Sequence, residues 1–220
     1  MKIEAVLFDF DMTLVDTSHA IAYAMNRFAE MMGLRKVSYE EVLATIGIPM
    51  DKSMSLLWQE AKPEWLEIYS QKCRPLEYEL MRPFPRVPET LEALKSHGIK
   101  LAITSNRRSA KKAVAYLGLD GYFDVVLGLE DVNIPKPEPA ILLKAIEILG
   151  VKKDRVVYVG DTVIDMQTAK NAGVTGIGVA TGLYDEKSLT EAGAALVLPE
   201  ASEILHLCIP GKVIERCLEK

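Results

Sequence analysis

Four short apolar runs rich in β-branched residues, each stopped by a polar cluster, constrain this chain more than any other feature. They are AVLF before Asp9, KLAI before Thr104, DVVL before Gly128 and RVVYV before Gly160. A continuously apolar strand needs cover on both faces, which a parallel sheet flanked by helices provides. The intervals between the runs supply those helices. Residues 88–97 set Pro88, Leu91 and Leu94 on one side, and 137–149 and 163–172 carry similar spacing. Strand and helix in alternation predict an α/β fold built on a Rossmann-like, doubly wound parallel sheet.

Residues 17–83 break the alternation, because they contain no strand pattern. Ile21, Met25, Phe28 and Met32 recur at helical spacing and Gly33 follows as a stop, so 17–33 reads as one amphipathic helix. Ser38 with Glu41 forms a capping-box signature before Val42 and Ile46. Pro63 can open a third helix carrying Trp65, Leu66 and Tyr69. The expected organisation is therefore a core over 1–16 and 84–220 with a helical insertion over 17–83. Its hinges fall near Thr17 and around Pro83 to Pro85, where proline resists helix continuation. A length of 220 residues suits one large core with a smaller attached unit. Trp58, Trp65 and Tyr69 read as the core of the insertion. The tail from about 200 to 220 carries Ile204, Leu207 and Cys208 before a Pro210-Gly211 break, and reads as packing only.

Composition narrows the function classes. Hydrophobic residues make up 49% and charged residues 26%, which excludes a disordered chain. Twenty-six Lys+Arg against thirty-one Asp+Glu give a net charge of -5, with no basic cluster, which argues against a nucleic-acid partner. No apolar run approaches the roughly 18 residues of a membrane span, and MKIEAVLFDF lacks a signal-peptide layout, so a cytoplasmic protein is expected. Cys73, Cys208 and Cys217 are odd in number and widely spaced, which reads as reduced thiols.

In an open parallel sheet, ligands bind beyond the carboxyl ends of the strands. There the chain places Asp9 and Asp11, then Ser105 and Asn106, then Asp161 and Asp165, with Lys136 in the loop Ile134-Pro135-Lys136-Pro137. Three or more carboxylates side by side drive protons back onto one another unless a cation joins them. Oxygen-only ligands favour Mg²⁺ or Ca²⁺, and Mg²⁺ characteristically combines one or two carboxylates with phosphate oxygens. Neither Cys nor His lies near these clusters. With Mg²⁺ and Lys136 present, an acidic protein can accept a dianionic phosphoryl group.

The order Asp-x-Asp-x-Thr on the first strand, Ser-Asn on the second, a lone Lys before a helix and then Gly-Asp-x-x-x-Asp resembles the haloacid dehalogenase superfamily of aspartate-nucleophile hydrolases. The likeness covers the whole core, and the insertion falls where that superfamily carries a helical cap. It implies Asp9 as the nucleophile and Asp11 as the acid that protonates the leaving oxygen and then activates water. It implies Thr13 as the residue ordering this loop at the substrate, Ser105 and Asn106 as phosphoryl-binding, and Lys136 as the neutralising cation. Asp9, Asp11, Asp161 and Asp165 become the metal set for Mg²⁺, Asp11 through its backbone carbonyl and Asp165 through water. The second Asp argues for phosphate chemistry over dehalogenation, since halide leaves without a proton.

One departure from the family pattern is visible, and several neighbouring residues have plainer readings. Met12 stands where many members have Gly, which leaves open whether that backbone is ordinary or strained. His19 falls near the cap entrance, but Ile21 occupies the position of the cap His in a hexose-phosphate mutase of the superfamily. Arg107 and Arg108, following the Ser-Asn pair, read as a solvated face. His97 and His206 read as surface or helix-end residues. The segment Thr45 to Met50 resembles the cap loop of phosphoglycolate phosphatase-like members, so a small phosphorylated metabolite is the expected partner of a monomer or homodimer. Inorganic pyrophosphate, a nucleotide, mutase activity and a non-catalytic binding role are the alternatives.

Overall fold

The computed structural model describes residues 2–209. Cys217 and the Pro210-Gly211 break lie outside the described residues. The main sheet holds β1 (Ala5–Phe8), β4 (Lys100–Thr104), β5 (Val125–Leu127), β6 (Val156–Gly160), β7 (Thr175–Val179) and β8 (Leu196–Leu198). Its order is β5-β4-β1-β6-β7-β8, with every pairing parallel. The chain winds from β1 outward through β4 and β5, then crosses to β6 on the other side. The carboxyl end of β1 therefore lies at the reversal point, where an open α/β sheet leaves a crevice.

Both faces of β1 are covered, which explains its unbroken apolar run. Val6 and Phe8 pack with α6 (Val87–Ser96) and α7 (Ala110–Tyr116) through Leu91, Leu94 and Val114. Ala5 and Leu7 face α8 (Ala140–Leu149) and α9 (Val163–Ala172) through Ile141, Leu142, Ala145 and Ala169. The four sequence-predicted strands are β1, β4, β5 and β6. Two more, β7 and β8, extend the sheet. Their pattern is diluted by Gly176 and Gly178, where a Cβ would meet Ala169 and Leu189 at 3.1 Å, so helix packing and not side-chain volume sets the composition there. Helices α10 (Glu186–Glu191) and α11 (Leu205–Cys208) complete the layers.

Between β2 (Val15–Asp16) and β3 (Arg82–Pro83), which pair antiparallel, lies a helical unit with its own core. It comprises α1 (Ser18–Met32), α2 (Tyr39–Leu43), α3 (Met50–Trp58), α4 (Pro63–Ile68) and α5 (Arg74–Leu80), with a π-helical turn over Tyr69–Cys73. Gly33 closes α1 in the left-handed conformation, accepting no Cβ penalty at φ 65°. The Ser38–Glu41 capping box forms in both directions, and Pro63 opens α4. Phe28 is fully buried among Trp58, Trp65 and Tyr69, at centroid distances of 5.7, 5.7 and 5.9 Å. The tryptophans thus serve this unit's interior, as the spacing predicts. No described helix is long and apolar enough to cross a membrane.

Phe28→Ala removes the ring on which three aromatic neighbours pack. We expect a loss of about 3–5 kcal/mol of stability, read as a lowered urea midpoint.

Candidate active site

Asp9 directly follows β1, Ser105 follows β4 and Asp161 follows β6. Because β4 and β6 are the two hydrogen-bonded neighbours of β1, with Phe8 level with Ile103 and Val159, these three residues emerge side by side. Carboxylate oxygens of Asp9, Asp161 and Asp165 lie within 4.8 Å of one another, all buried. Lys136 reaches into the same place from 127 residues away and is itself buried.

The lysine organises the cluster. Its ammonium has three protons, and it donates to Asp9 Oδ1 at 2.7 Å, Asp165 Oδ1 at 2.7 Å and the Tyr158 hydroxyl at 2.9 Å. Its backbone N–H donates to Asn106 Oδ1 at 2.8 Å, which fixes the loop that carries it. Tyr158 also donates to Asp165 Oδ1 at 2.7 Å. Asp165 Oδ2 accepts from the Thr162 N–H and hydroxyl, in a reciprocal capping box that begins α9. Both Asp165 oxygens are therefore engaged by protein groups. Gly160 is required for this fold-back, since a Cβ there would meet Asp165 at 2.5 Å.

Asp9 Oδ2 is different. It is buried and has no hydrogen-bond partner among the described residues. Burial, with the charges of Asp165 and Asp11 outweighing Lys136, pushes the Asp9 carboxyl up to about 7. Burial and the Asp165 and Asp9 charges also push Asp161 well above the usual carboxylate range, although Thr13 donates to its Oδ1 at 2.9 Å. Three carboxylates against one ammonium leave two negative charges in excess when ionised. That excess, the orphaned Asp9 oxygen and the absence of Cys and His from the cluster fit a hard divalent cation held by Asp9 and Asp161. Gly182 admits Asp161 so closely that no side chain fits there.

The structure distributes the other expected site residues unevenly. Ser105 is buried, and its hydroxyl oxygen accepts from the Arg107 N–H at 3.1 Å while its own proton stays available. Thr13, expected at the substrate, is wholly buried with its hydroxyl directed to Asp161, so it orders the acid cluster. Asn106 lines the cleft, but its amide is divided between Lys136 and the Gly47 carbonyl of the helical unit at 2.9 Å. Met12 resolves the open question of its backbone. It holds φ 60°, a conformation L residues rarely adopt, in the turn that sets Asp9 and Asp11 at one strand end.

The expected solvated Arg107-Arg108 face needs correction, because only Arg108 is exposed. Arg107 is 9% exposed and grips Asp11 through both Nε and Nη2, at 2.6–3.2 Å, while Nη1 donates to Glu77 Oε2 at 2.5 Å. Glu77 belongs to α5 and also accepts from the Tyr69 hydroxyl at 2.5 Å. Burial alone would raise the Asp11 acid, but the Arg107 charge and its hydrogen bonds hold the carboxyl below its ordinary value. Sequence reasoning misses Glu77, Tyr158 and this role of Arg107. The one readable signal is Glu77 three residues after Arg74, where an i, i+3 pair places two charges on one helix face.

A sequence profile of the haloacid dehalogenase-like hydrolase family matches residues 6–179, which span β1 through β7. The chain belongs to this family. Among curated relatives of this hydrolase, the phosphoglycolate phosphatase of Aquifex aeolicus is 34% identical over 92% of this chain and 95% of its own. The pyrophosphatase PpaX of Halalkalibacterium halodurans is 33% identical over 94% and 97%. The phosphorylated carbohydrates phosphatase of Thermotoga maritima is 37% identical over 93% and 97%. A solved Bacteroides fragilis structure superposes with a TM-score of 0.84 at 29% identity, covering 92% of this chain and 100% of that one.

Arg107→Met strands two buried carboxylates at once and is expected to cost about 3–5 kcal/mol near neutral pH. The Asp11 acid lies below its unfolded value of about 3.9, so its contribution is complete above that pH and vanishes as acid protonates it. The stability gap between wild type and Arg107→Met should therefore narrow as pH falls below about 4, measured by urea titrations at stepped pH.

Proposed function

We propose that this hydrolase is a Mg²⁺-dependent phosphatase that cleaves a small phosphomonoester through an aspartyl-phosphate intermediate. The observation that carries the reading is Asp9: one oxygen is fixed by Lys136, and the other is buried without a partner beside Asp161. Two of the relatives described above are named for phosphorylated organic metabolites and one for pyrophosphate, and a transferable phosphoryl group is common to all three.

In this reading the Asp9 carboxylate attacks phosphorus, a new P–O bond forms and the bond to the leaving oxygen breaks. Asp11 delivers its proton to that oxygen and releases the alcohol. A water then attacks the same phosphorus while Asp11 takes its proton, the bond to Asp9 breaks, and phosphate leaves. Bound Mg²⁺ supplies charge neutralisation for the nucleophile and the phosphoryl group. Lys136 opposes the burial that raises the Asp9 carboxyl and fixes its Oδ1 by a hydrogen bond, and the Ser105 hydroxyl is placed to donate to a phosphoryl oxygen. Arg107 keeps Asp11 ionised in the ligand-free site, so Asp11 takes up a proton from solvent as that grip loosens before it gives one to the leaving oxygen, and the proton from the attacking water restores the acid for the next turnover.

The helical unit over 17–83 acts as a cap in this reading. Its Gly47 loop lies on Asn106 and close to Thr162, and a cavity of about 490 Å³ opens beneath it. A mutase reading has less support. Ile21 lines the cavity where a cap base would be needed, and His19 instead stacks on Tyr39 at 4.7 Å.

Asp9→Asn should abolish phosphate release from every ester tested, to less than about one part in 10³ of the wild-type rate. Asp161→Asn should shift the Mg²⁺ concentration for half-maximal activity upward and leave turnover at saturating metal partly intact. Borohydride trapping of the intermediate should reduce residue 9 in wild type. Release of phosphate by Asp9→Asn at the wild-type rate would remove that residue from the nucleophile role.

A further inference from the structure

Nearly every buried charge in the cleft has a partner of opposite sign. Asp9 and Asp165 share Lys136, and Asp11 and Glu77 share Arg107. The exceptions are Asp161, which accepts from the Thr13 hydroxyl, and the cation Arg74. Arg74 opens α5, is 7% exposed, and lines the 490 Å³ cavity together with Asp11, Ser105 and Arg107. No carboxylate lies within salt-bridge distance of it among the described residues. Its one hydrogen bond there runs from Nη1 to the Arg108 carbonyl at 2.9 Å. Its Nε is buried and without a partner, and its guanidinium carbon sits 5.7 Å from the Tyr69 ring centroid.

A buried guanidinium with an unengaged Nε–Nη2 edge is costly to hold in a folded protein. That edge presents two parallel N–H donors, the geometry that takes both oxygens of a carboxylate or a phosphate. The stacking on Tyr69 and the hydrogen bond to Arg108 hold the fork in place, so little order has to be imposed when an anion arrives. Ile21, Met25 and Leu66 add apolar lining to the same cavity.

We propose that Arg74 is a specificity-determining residue that binds a second oxyanion of the substrate, remote from the phosphoryl group being transferred. The substrate class is then a short phosphate ester whose far end carries a carboxylate or a second phosphate. This inference rests on the reading of the Asp9 cluster as the phosphoryl site. Arg74 stands on the helical unit while Asp9 stands on the sheet, so a substrate holding both bridges the two parts of the molecule.

The test uses the full-length protein with Mg²⁺ and three esters of one length: 2-hydroxyethyl phosphate, phosphoglycolate and ethane-1,2-diol bisphosphate. Wild type should favour one of the two doubly anionic esters over the neutral-ended one by at least about tenfold in kcat/KM. The favoured ester identifies the second group as carboxylate or phosphate. Arg74→Met should erase that preference mainly through KM, and Arg74→Lys, which keeps the charge but not the fork, should fall between. Thermal unfolding of ligand-free Arg74→Met should occur no lower than in wild type, because the change removes an unpaired buried charge.

Three results would overturn the proposal: equal wild-type use of all three esters, an unchanged preference in Arg74→Met, or a lowered melting temperature with all three activities falling together. Asp9→Asn, assayed in parallel, separates the two readings. If it hydrolyses the esters as wild type does, the phosphoryl-site reading fails. If it is inactive while wild type shows no preference, only the role of Arg74 fails.

Discussion

One ammonium group holds the site together. Lys136 gives all three of its protons to Asp9, Asp165 and Tyr158, and those acceptors come from the loop after β1, from α9 and from β6. Without it, three buried carboxylates would face one another across less than 5 Å, and each would be driven toward its neutral form. With it, the excess falls to two charges, an amount one divalent cation matches. Burial raises the Coulombic worth of these pairings and also the penalty for leaving any of them incomplete. This balance accounts for the close fit of Gly160 and Gly182 around Asp165 and Asp161.

A second ionic network uses a different cation and keeps one negative charge in excess, since a single guanidinium faces two carboxylates. Arg107 links Asp11 on the sheet side to Glu77 on the helical side, and Glu77 is further fixed by Tyr69. The two networks push their acids in opposite directions, Asp9 up to about 7 and Asp11 below its usual value. Neighbouring carboxylates set apart in this way can serve different roles at one pH. Here the separation comes from which cation each acid touches: one ammonium shared with Asp165 for Asp9, and a full bidentate guanidinium for Asp11.

What the sequence reveals and conceals follows from how local each signal is. β1, β4, β5 and β6 are legible because strands buried on both faces leave an apolar run, and the acids ending them mark the strand ends. The capping box at Ser38 is legible because it requires only a few neighbouring residues. β7 is hidden because close helix packing demands glycine where a strand pattern would show valine. Arg107 is misread because two adjacent arginines look solvated, and the burial of one depends on Glu77, 30 residues distant in sequence. Tyr158 looks like one more apolar strand residue until Lys136 and Asp165 are placed beside its hydroxyl. Met12 shows the reverse case: the sequence poses the question of a strained turn, and only the φ of 60° answers it.

The way the helical unit joins the sheet also bears on the acid. The chain leaves through Val15–Asp16 and returns through Arg82–Pro83, and these strands pair with each other. The Phe84 N–H donates to the Leu14 carbonyl at 2.9 Å, and Met12 N–H to the Val15 carbonyl at 2.8 Å, so entry, exit and the strained turn form one hydrogen-bonded patch. Bringing the ends of a long insertion together carries an entropic cost that grows only slowly with its length, which makes a unit of this size tolerable at such a junction. Asp11 sits inside that patch, and its carboxylate is tied through Arg107 to Glu77 in the same unit. Any displacement of the helical unit about the junction therefore strains the Asp11 grip at both of its attachments, through the backbone at Val15 and through the guanidinium at Glu77. Asp11 is thus coupled to the position of the helical unit by two routes, one covalent and one ionic.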